Sequence, residues 1–284
     1  MENLSWQIGD VKVTRITELE MPTSARFLFD NLTQEMLLGI DWLQPHFVNE
    51  RGYMLMSIHA LVVESNGKRI IVDTCLGNDK QRAVEGWNMR NGPFLQDLSS
   101  SGFPRESIDT VLCTHLHVDH VGWNTMMVDG AWVPTFPNAE YLFARTEWEY
   151  WRETEDKDYG DIMADSVRPI IDAGLATLVD TDHKLTDEVW LQPTPGHTPG
   201  HVSVRISSKG EHAVITGDMT HHPCQLAHPE WAANVDYDQA QSTATRRAFY
   251  NELAGEPVLV IGTHFATPTA GHIVRDGETY RLDV

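Results

Sequence analysis

Between Thr114 and Gly122 the chain reads T-H-L-H-V-D-H-V-G, which places His115, His117, Asp119 and His120 within six residues. Side chains alternate along an extended segment, so His115 and His117 point to one side and can share an ion. Asp119 and His120 lie past the bend and face a neighbouring position. The spacing predicts two metal ions rather than one, and the imidazole-rich donor set predicts zinc. A single His in a strand-to-loop corner is ordinarily a satisfied polar residue, and an Asp-His pair ordinarily marks a turn. Three His and one Asp directly after the apolar run Val111-Leu112-Cys113 fit that plain reading poorly.

Three further segments present the same residue types. Thr194-Pro195-Gly196-His197-Thr198-Pro199-Gly200-His201 follows an apolar run, and its two Pro-Gly steps force a rigid loop that presents His197 as a third ligand for the first ion. His201 either supports a ligand or begins the next strand. Ile215-Thr216-Gly217-Asp218 is an apolar run ending in a carboxylate, which is either a turn former or a group spanning two cations. Val258 to His264 repeats the pattern, with Gly262 and His264 after the apolar run. Four strand ends thus deliver His or Asp to one edge of the fold.

The elements that must position them are legible from pattern. Extended runs are predicted at Val11 to Thr17, His59 to Glu64, Arg69 to Asp73, Thr110 to Thr114, Glu140 to Phe143, Val189 to Pro193, Val202 to Ile206, Ala213 to Thr216 and Val258 to Ile261. Ser65 to Lys68 and Ser207 to Glu211 read as hairpin turns. Helices are predicted at Pro93 to Ser100, Thr146 to Arg152, Asp161 to Asp172 and Asp236 to Leu253. Strands in two batches with interspersed helices predict a layered α/β sandwich, taken as one domain over residues 1–284. Residues 20–53 carry apolar bulk without sheet periodicity, including Phe27, Phe29, Trp42 and Phe47. They are expected to form a lid, a homodimer contact or ordinary core. Phe27, Phe29, Trp42 and Trp123 are candidates for an aromatic pocket wall.

Composition bounds the partners. The 284 residues are 41% apolar and carry a net charge of −20 from 41 acidic and 21 basic residues, so a nucleic-acid ligand would meet repulsion. The first thirteen residues lack a signal-peptide pattern, and no run approaches the ~18 apolar residues of a membrane span. The expected location is cytoplasmic, with no membrane or nucleic-acid partner. Three widely spaced cysteines, Cys75, Cys113 and Cys224, read as small buried residues in a reducing compartment.

The H-x-H-x-D-H signature, the P-G-H-T-P-G-H loop, the T-G-D strand end and the final His resemble, in order, the metallo-β-lactamase-fold hydrolases over about residues 55–275. The resemblance implies a four-layer αββα sandwich of two mixed β-sheets flanked by helices. It implies two Zn²⁺, with Mn, Fe or Co as substitutes: His115, His117 and His197 on one, Asp119, His120 and His264 on the other, and Asp218 bridging. It further implies that Asp73 supports the metal loop, with Cys75 where the family often has glycine.

The implied reaction is attack by a metal-bridging hydroxide on a small carboxylic ester or lactone, with Asp119 counted among the catalytic residues. The lactonase and methyl parathion hydrolase-like branch is nearest. Phosphotriester or β-lactam hydrolysis and an iron-dependent oxygenase of the same fold are the alternatives. Lactonases of the branch commonly carry Tyr three residues after the bridging Asp. Here His221 and His222 follow instead, as candidates to steady the oxyanion or protonate a leaving group, or as plain turn residues.

Overall fold

The computed structural model describes residues 3–154 and 160–284. In the N-terminal half the strands are β1 (Ser5–Ile8), β2 (Val11–Thr23), β3 (Met54–Ser65), β4 (Lys68–Val72), β5 (Thr110–Leu112), β6 (Thr125–Val128), β7 (Ala131–Pro134), β8 (Glu140–Ala144) and β9 (Ala176–Val179). The C-terminal half adds β10 (Val189–Pro193), β11 (Val202–Ser208), β12 (Glu211–Ile215), β13 (Val258–Ile261), β14 (Ala270–Asp276) and β15 (Thr279–Asp283). One sheet runs in the order β1-β2-β3-β4-β5-β8-β9 and the other β10-β11-β12-β13-β14-β15. Both are mixed: β4, β5, β8 and β9 pair in parallel, as do β12 and β13.

Alternation along the strands builds three apolar interfaces, as four layers require. Ile70, Val72, Leu112 and Leu142 of the first sheet meet Leu191, Val204, Ile215 and Ile261 of the second in a central core. The neighbouring residues Ile71, Val111, Tyr141 and Phe143 face the opposite way, onto Leu98, Trp151 and Ile170 of the outer helices. Val214 and Val260 likewise face Phe249 and Leu253 of the helix Gln239–Leu253. Strands buried on both faces read as continuous apolar runs, which is why the sequence shows them so plainly.

The turn readings hold. Ser65 pairs with Lys68 across Asn66 (φ 52°) and Gly67 (φ 76°), and Ser208 pairs with Glu211 across Lys209 (φ 53°) and Gly210 (φ 84°). Two successive left-handed residues are what a tight hairpin of this hand demands. The segment expected helical over Asp161–Asp172 is split, with a π-helical turn at Met163–Val167 before the helix Arg168–Asp172. Pro169 at the start of the second piece accounts for the break, since it cannot donate a backbone hydrogen bond. Ala25, Leu28, Phe29, Leu37, Leu43 and Phe47 of the 20–53 segment pack into the outer core of the second sheet. Among the described residues no helix is long and apolar enough to cross a membrane.

Candidate metal centre

Each candidate ligand sits beyond a strand end, and His115, His120, His197 and His264 are held by their far ring nitrogen. After β4, Asp73 turns back in a left-handed conformation (φ 58°) and accepts from the Thr114 N–H (2.7 Å) and the Thr114 hydroxyl (2.9 Å). That hydroxyl, its proton spent on Asp73, accepts from His115 Nδ1 at 3.1 Å. His120 Nδ1 donates to Asp73 at 2.9 Å, His197 Nδ1 to Asp236 at 2.8 Å, and His264 Nδ1 to the Ser57 carbonyl at 2.9 Å. With Nδ1 carrying one proton, Nε2 of all four rings offers its lone pair once any second proton leaves.

Those lone pairs converge. His197 Nε2 lies 3.1 Å from His115 Nε2 and 2.8 Å from His117 Nδ1. His264 Nε2 lies 3.3 Å from His120 Nε2. Tetrahedral zinc with Zn–N near 2.0–2.1 Å sets its ligand atoms about 3.3 Å apart, so both spacings suit a shared cation. The donors His115, His117 and His197 form one such group and Asp119, His120 and His264 another, with His115, His120 and Asp218 a third that links them. Lone pairs facing one another in a buried site repel unless a cation or proton lies between them, so this donor chemistry fits two divalent ions.

Asp218 stands between the two groups. Its Oδ2 is 3.3 Å from His120 Nε2, 3.6 Å from His197 Nε2 and 3.8 Å from His115 Nε2, while Oδ1 is 3.1 Å from His264 Nε2. Gly217 makes the placement: it is left-handed (φ 55°), and a Cβ there would fall 2.5 Å from His201 Nε2. His201 accepts from the Asp218 N–H at 2.8 Å while its Nδ1 faces the Thr194 hydroxyl at 2.8 Å. His201 therefore holds the Asp218 turn. Asp119 completes the second group, 3.5 Å from His264 and 3.7 Å from His120.

Charge separates the rings further. Burial lowers His115 and His117 well below the ordinary imidazole range. Burial also opposes the charged form of His120 and His264, but Asp218 overrides it, lifting His120 well above that range and His264 to about 9. Asp218 itself is buried, which would raise it, yet His120, His264 and His221 hold it well below the usual carboxylate range. The protons on His120 and His264 are the ones an arriving cation displaces.

The centre opens into a cavity of about 790 Å³, lined by His117, Asp119, His197, Asp218, His221 and His264 at its floor. Its walls carry Met21, Phe27, Ile58, Trp87, Tyr150, Trp151 and Tyr237, with no Lys or Arg among the described residues of the lining. His221 faces this space: Nδ1 has no hydrogen-bond partner, and Nε2 has the Asp218 carboxylate at 3.4 Å. His222 is not brought to the cavity. Its Nε2 donates to the Phe47 carbonyl at 2.8 Å and its Nδ1 accepts from the Cys224 N–H at 3.2 Å, so both nitrogens are committed to the fold.

A family profile described as the metallo-beta-lactamase superfamily matches residues 54–264, most of the chain. The chain belongs to that superfamily. An N-acyl homoserine lactonase of Bacillus sp is 24% identical over 67% of this chain and 75% of its own length. One of Bacillus thuringiensis is 25% identical over 56% of this chain and 62% of its own, so that match spans less than two thirds of the relative. Among solved structures, the hydrolase AbOPH aligns with TM-score 0.81 and 25% identity, covering 100% of this chain and 97% of its own. AidC, a dizinc quorum-quenching lactonase in complex with a homoserine product, aligns at 0.78 with 22% identity, covering 99% and 96%. The relatives are metal-dependent lactonases and hydrolases of the superfamily.

Beyond the superfamily signature, sequence reasoning missed the braces. Asp236 orients His197, Ser57 orients His264, and Glu18 and Glu147 tie down the loops around them. Glu18 is the odd residue of a bulge where the β2–β3 register slips between Thr17 and Leu19. The bulge turns its carboxylate onto the Leu76 and Gly77 amides (2.8 and 3.2 Å) and the Trp123 indole (2.7 Å). Of the four aromatics expected at the wall only Phe27 lines the cavity. Trp123 instead stacks on Phe94, Phe29 is core, and Trp42 packs on the outer cluster. Cys75 keeps a left-handed turn (φ 53°) in spite of its side chain.

Proposed function

We propose that this chain is a dinuclear zinc-dependent hydrolase of neutral, largely apolar carboxylic esters or lactones. The observation that carries the reading is the convergence of buried imidazole nitrogens and carboxylates on the floor of an apolar cavity whose described lining holds no Lys or Arg. His115, His117 and His197 would hold one cation, Asp119, His120 and His264 the other, with Asp218 between them. Bound there, the two cations would supply a water of lowered pKa as nucleophile and Lewis acidity at the substrate carbonyl.

The remaining work falls to the chain. Asp73, Asp236, Ser57 and Thr114 fix the ring tautomers, so the ligand lone pairs are preset before substrate arrives. Apolar walls exclude water and receive the acyl part of the substrate. His221 stands within the cavity with an uncommitted nitrogen, placed to donate a hydrogen bond to the substrate oxygen or leaving group. Among the described lining residues no Lys or Arg stands ready to pair a second anionic group of a substrate, which sets β-lactam carboxylates below neutral esters and lactones.

The test is turnover of metal-quantified protein on a panel of lactones, with N-acyl homoserine lactones first, aryl esters, phosphotriesters and β-lactams. Hydrolysis of the lactones or esters, above the rest, is expected. Turnover confined to phosphotriesters or β-lactams, or one bound iron with oxygen uptake, overturns the assignment.

A further inference from the structure

The three-histidine group is assembled from two different sheets: His115 and His117 follow β5, and His197 follows β10. One buried side chain reaches both loops. Glu147, in the first turn of the helix Arg145–Glu153, accepts from the Leu116 N–H at Oε1 (3.1 Å) and from the Gly200 N–H at Oε2 (3.0 Å). Leu116 lies between the two histidines of the first loop, and Gly200 lies three residues after His197. The Trp151 indole N–H, one helical turn on, also donates to Oε1 at 2.7 Å. The Trp151 ring in turn stands edge-on to His117, with centroids 5.4 Å apart.

Nothing in the proposed reaction uses Glu147, and it does not line the cavity. It is 1% exposed and, among the described residues, forms no ion pair with Lys or Arg. A carboxylate buried on neutral donors without a counter-charge is costly to keep, unless its position matters. The close approach is enforced from the other side as well: a Cβ at Gly200 would lie 2.3 Å from the Glu147 backbone nitrogen. Glutamate suits the spot because both of its oxygens accept. Glutamine would turn an NH2 group toward one of three N–H donors, and one loop would lose its partner.

We propose that Glu147 is a positioning residue that clamps the His115–His117 loop to the His197 loop and so sets the cation affinity of the three-histidine group. The assignment rests on the metal reading given above. Loss of an outer partner of this kind typically lowers metal affinity by about 10–100-fold.

The experiment compares wild type with Glu147→Gln by cobalt(II) titration against a chelator, by cobalt absorption spectra, and by amide hydrogen exchange on metal-free protein. In the variant one of the two cobalt sites weakens by about 10–100-fold with an altered ligand-field spectrum, the other site is retained, and the Leu116 and Gly200 amides lose protection together. Glu149→Gln, an exposed carboxylate on the same helix that touches neither loop, stays at wild-type cobalt affinity. Unchanged cobalt affinity and spectrum in Glu147→Gln overturn the clamp, as does an equal loss in Glu149→Gln. If wild type takes up no cobalt, the metal reading falls, and with it the clamp's role in cation affinity. The exchange data then show separately whether the loops are tied.

Discussion

Asp165 closes a buried charge cluster beside the cavity, and its removal has a calculable cost. Arg82 Nη1 and Nη2 meet its two oxygens at 2.6 and 2.9 Å, and Lys80 Nζ lies 3.7 Å from Oδ1. Lys80 also donates to the Thr125 hydroxyl at 2.8 Å and stands 3.6 Å from the Trp132 ring centroid. The cluster joins the loop bearing Val84, Gly86 and Trp87 to the turn beside Ile162, two parts of the cavity wall. Asp165→Asn keeps the shape and leaves the buried Arg82 guanidinium without a counter-charge, at a cost of about 3–5 kcal/mol. That is a large share of the ~5–15 kcal/mol by which domains are stable. With an unfolding entropy of roughly 2.1 cal/mol/K per residue over this chain, Tm falls by about 5–8 °C. Urea unfolding is the direct assay: the midpoint drops at unchanged slope, metal content is kept, and KM rises more than kcat falls. A loss below about 1 kcal/mol would refute the reasoning that this ion cluster holds the wall.

The same cluster predicts a pH dependence. Burial lowers Lys80 to about 7, so between that pH and 10.5 the unfolded chain holds a proton that the folded chain has released. Stability contributed by this group therefore rises with pH across that window, by up to about 5 kcal/mol at ~1.4 kcal/mol per unit. Lys80→Met flattens the slope; equal slopes in urea midpoints at pH 6 and 9 sink the inference. His221→Phe lowers turnover by roughly 10²–10⁴-fold at unchanged metal content, and full retained activity removes His221 from the reaction. Because Asp218 holds His120 and His264 protonated near neutrality, zinc uptake at pH 7.5 in weakly buffered solution releases about two protons. Uptake without proton release contradicts that picture.

What the sequence disclosed and what it hid differ in kind. His115, His117, Asp119, His120, His197, Asp218 and His264 stand at fixed short spacings after apolar runs, so a local pattern marks them even though they meet only in three dimensions. Strands β10 and β13 were read to the residue, β13 as a continuous apolar run inside its sheet and β10 as an alternating edge strand that ends at Pro193. The hairpins β6–β7 and β14–β15 were overlooked, although Asp129-Gly130 and Gly277-Glu278 at their tips are hairpin signals. Their strands are half exposed and mixed in composition. Glu18, Glu147 and Asp236 left no trace because a lone acidic residue in a strand, helix or loop carries no spacing. Their meaning appears only when distant backbone amides or an imidazole are seen to converge on them. Trp87, Tyr150 and Trp151 are likewise placed on the cavity by the packing of loop and helix, not by any periodicity.

The central claim is that one carboxylate joins two histidine groups into a single two-cation centre. Metal quantification on purified wild type and Asp218→Ala, read beside ester or lactone turnover of the same samples, tests it most directly. The account predicts about two divalent ions per wild-type chain, and in the variant at most one ion together with a collapse of hydrolysis. Two ions and normal turnover in Asp218→Ala would show that Asp218 merely ends a strand, and the centre described above would have to be abandoned.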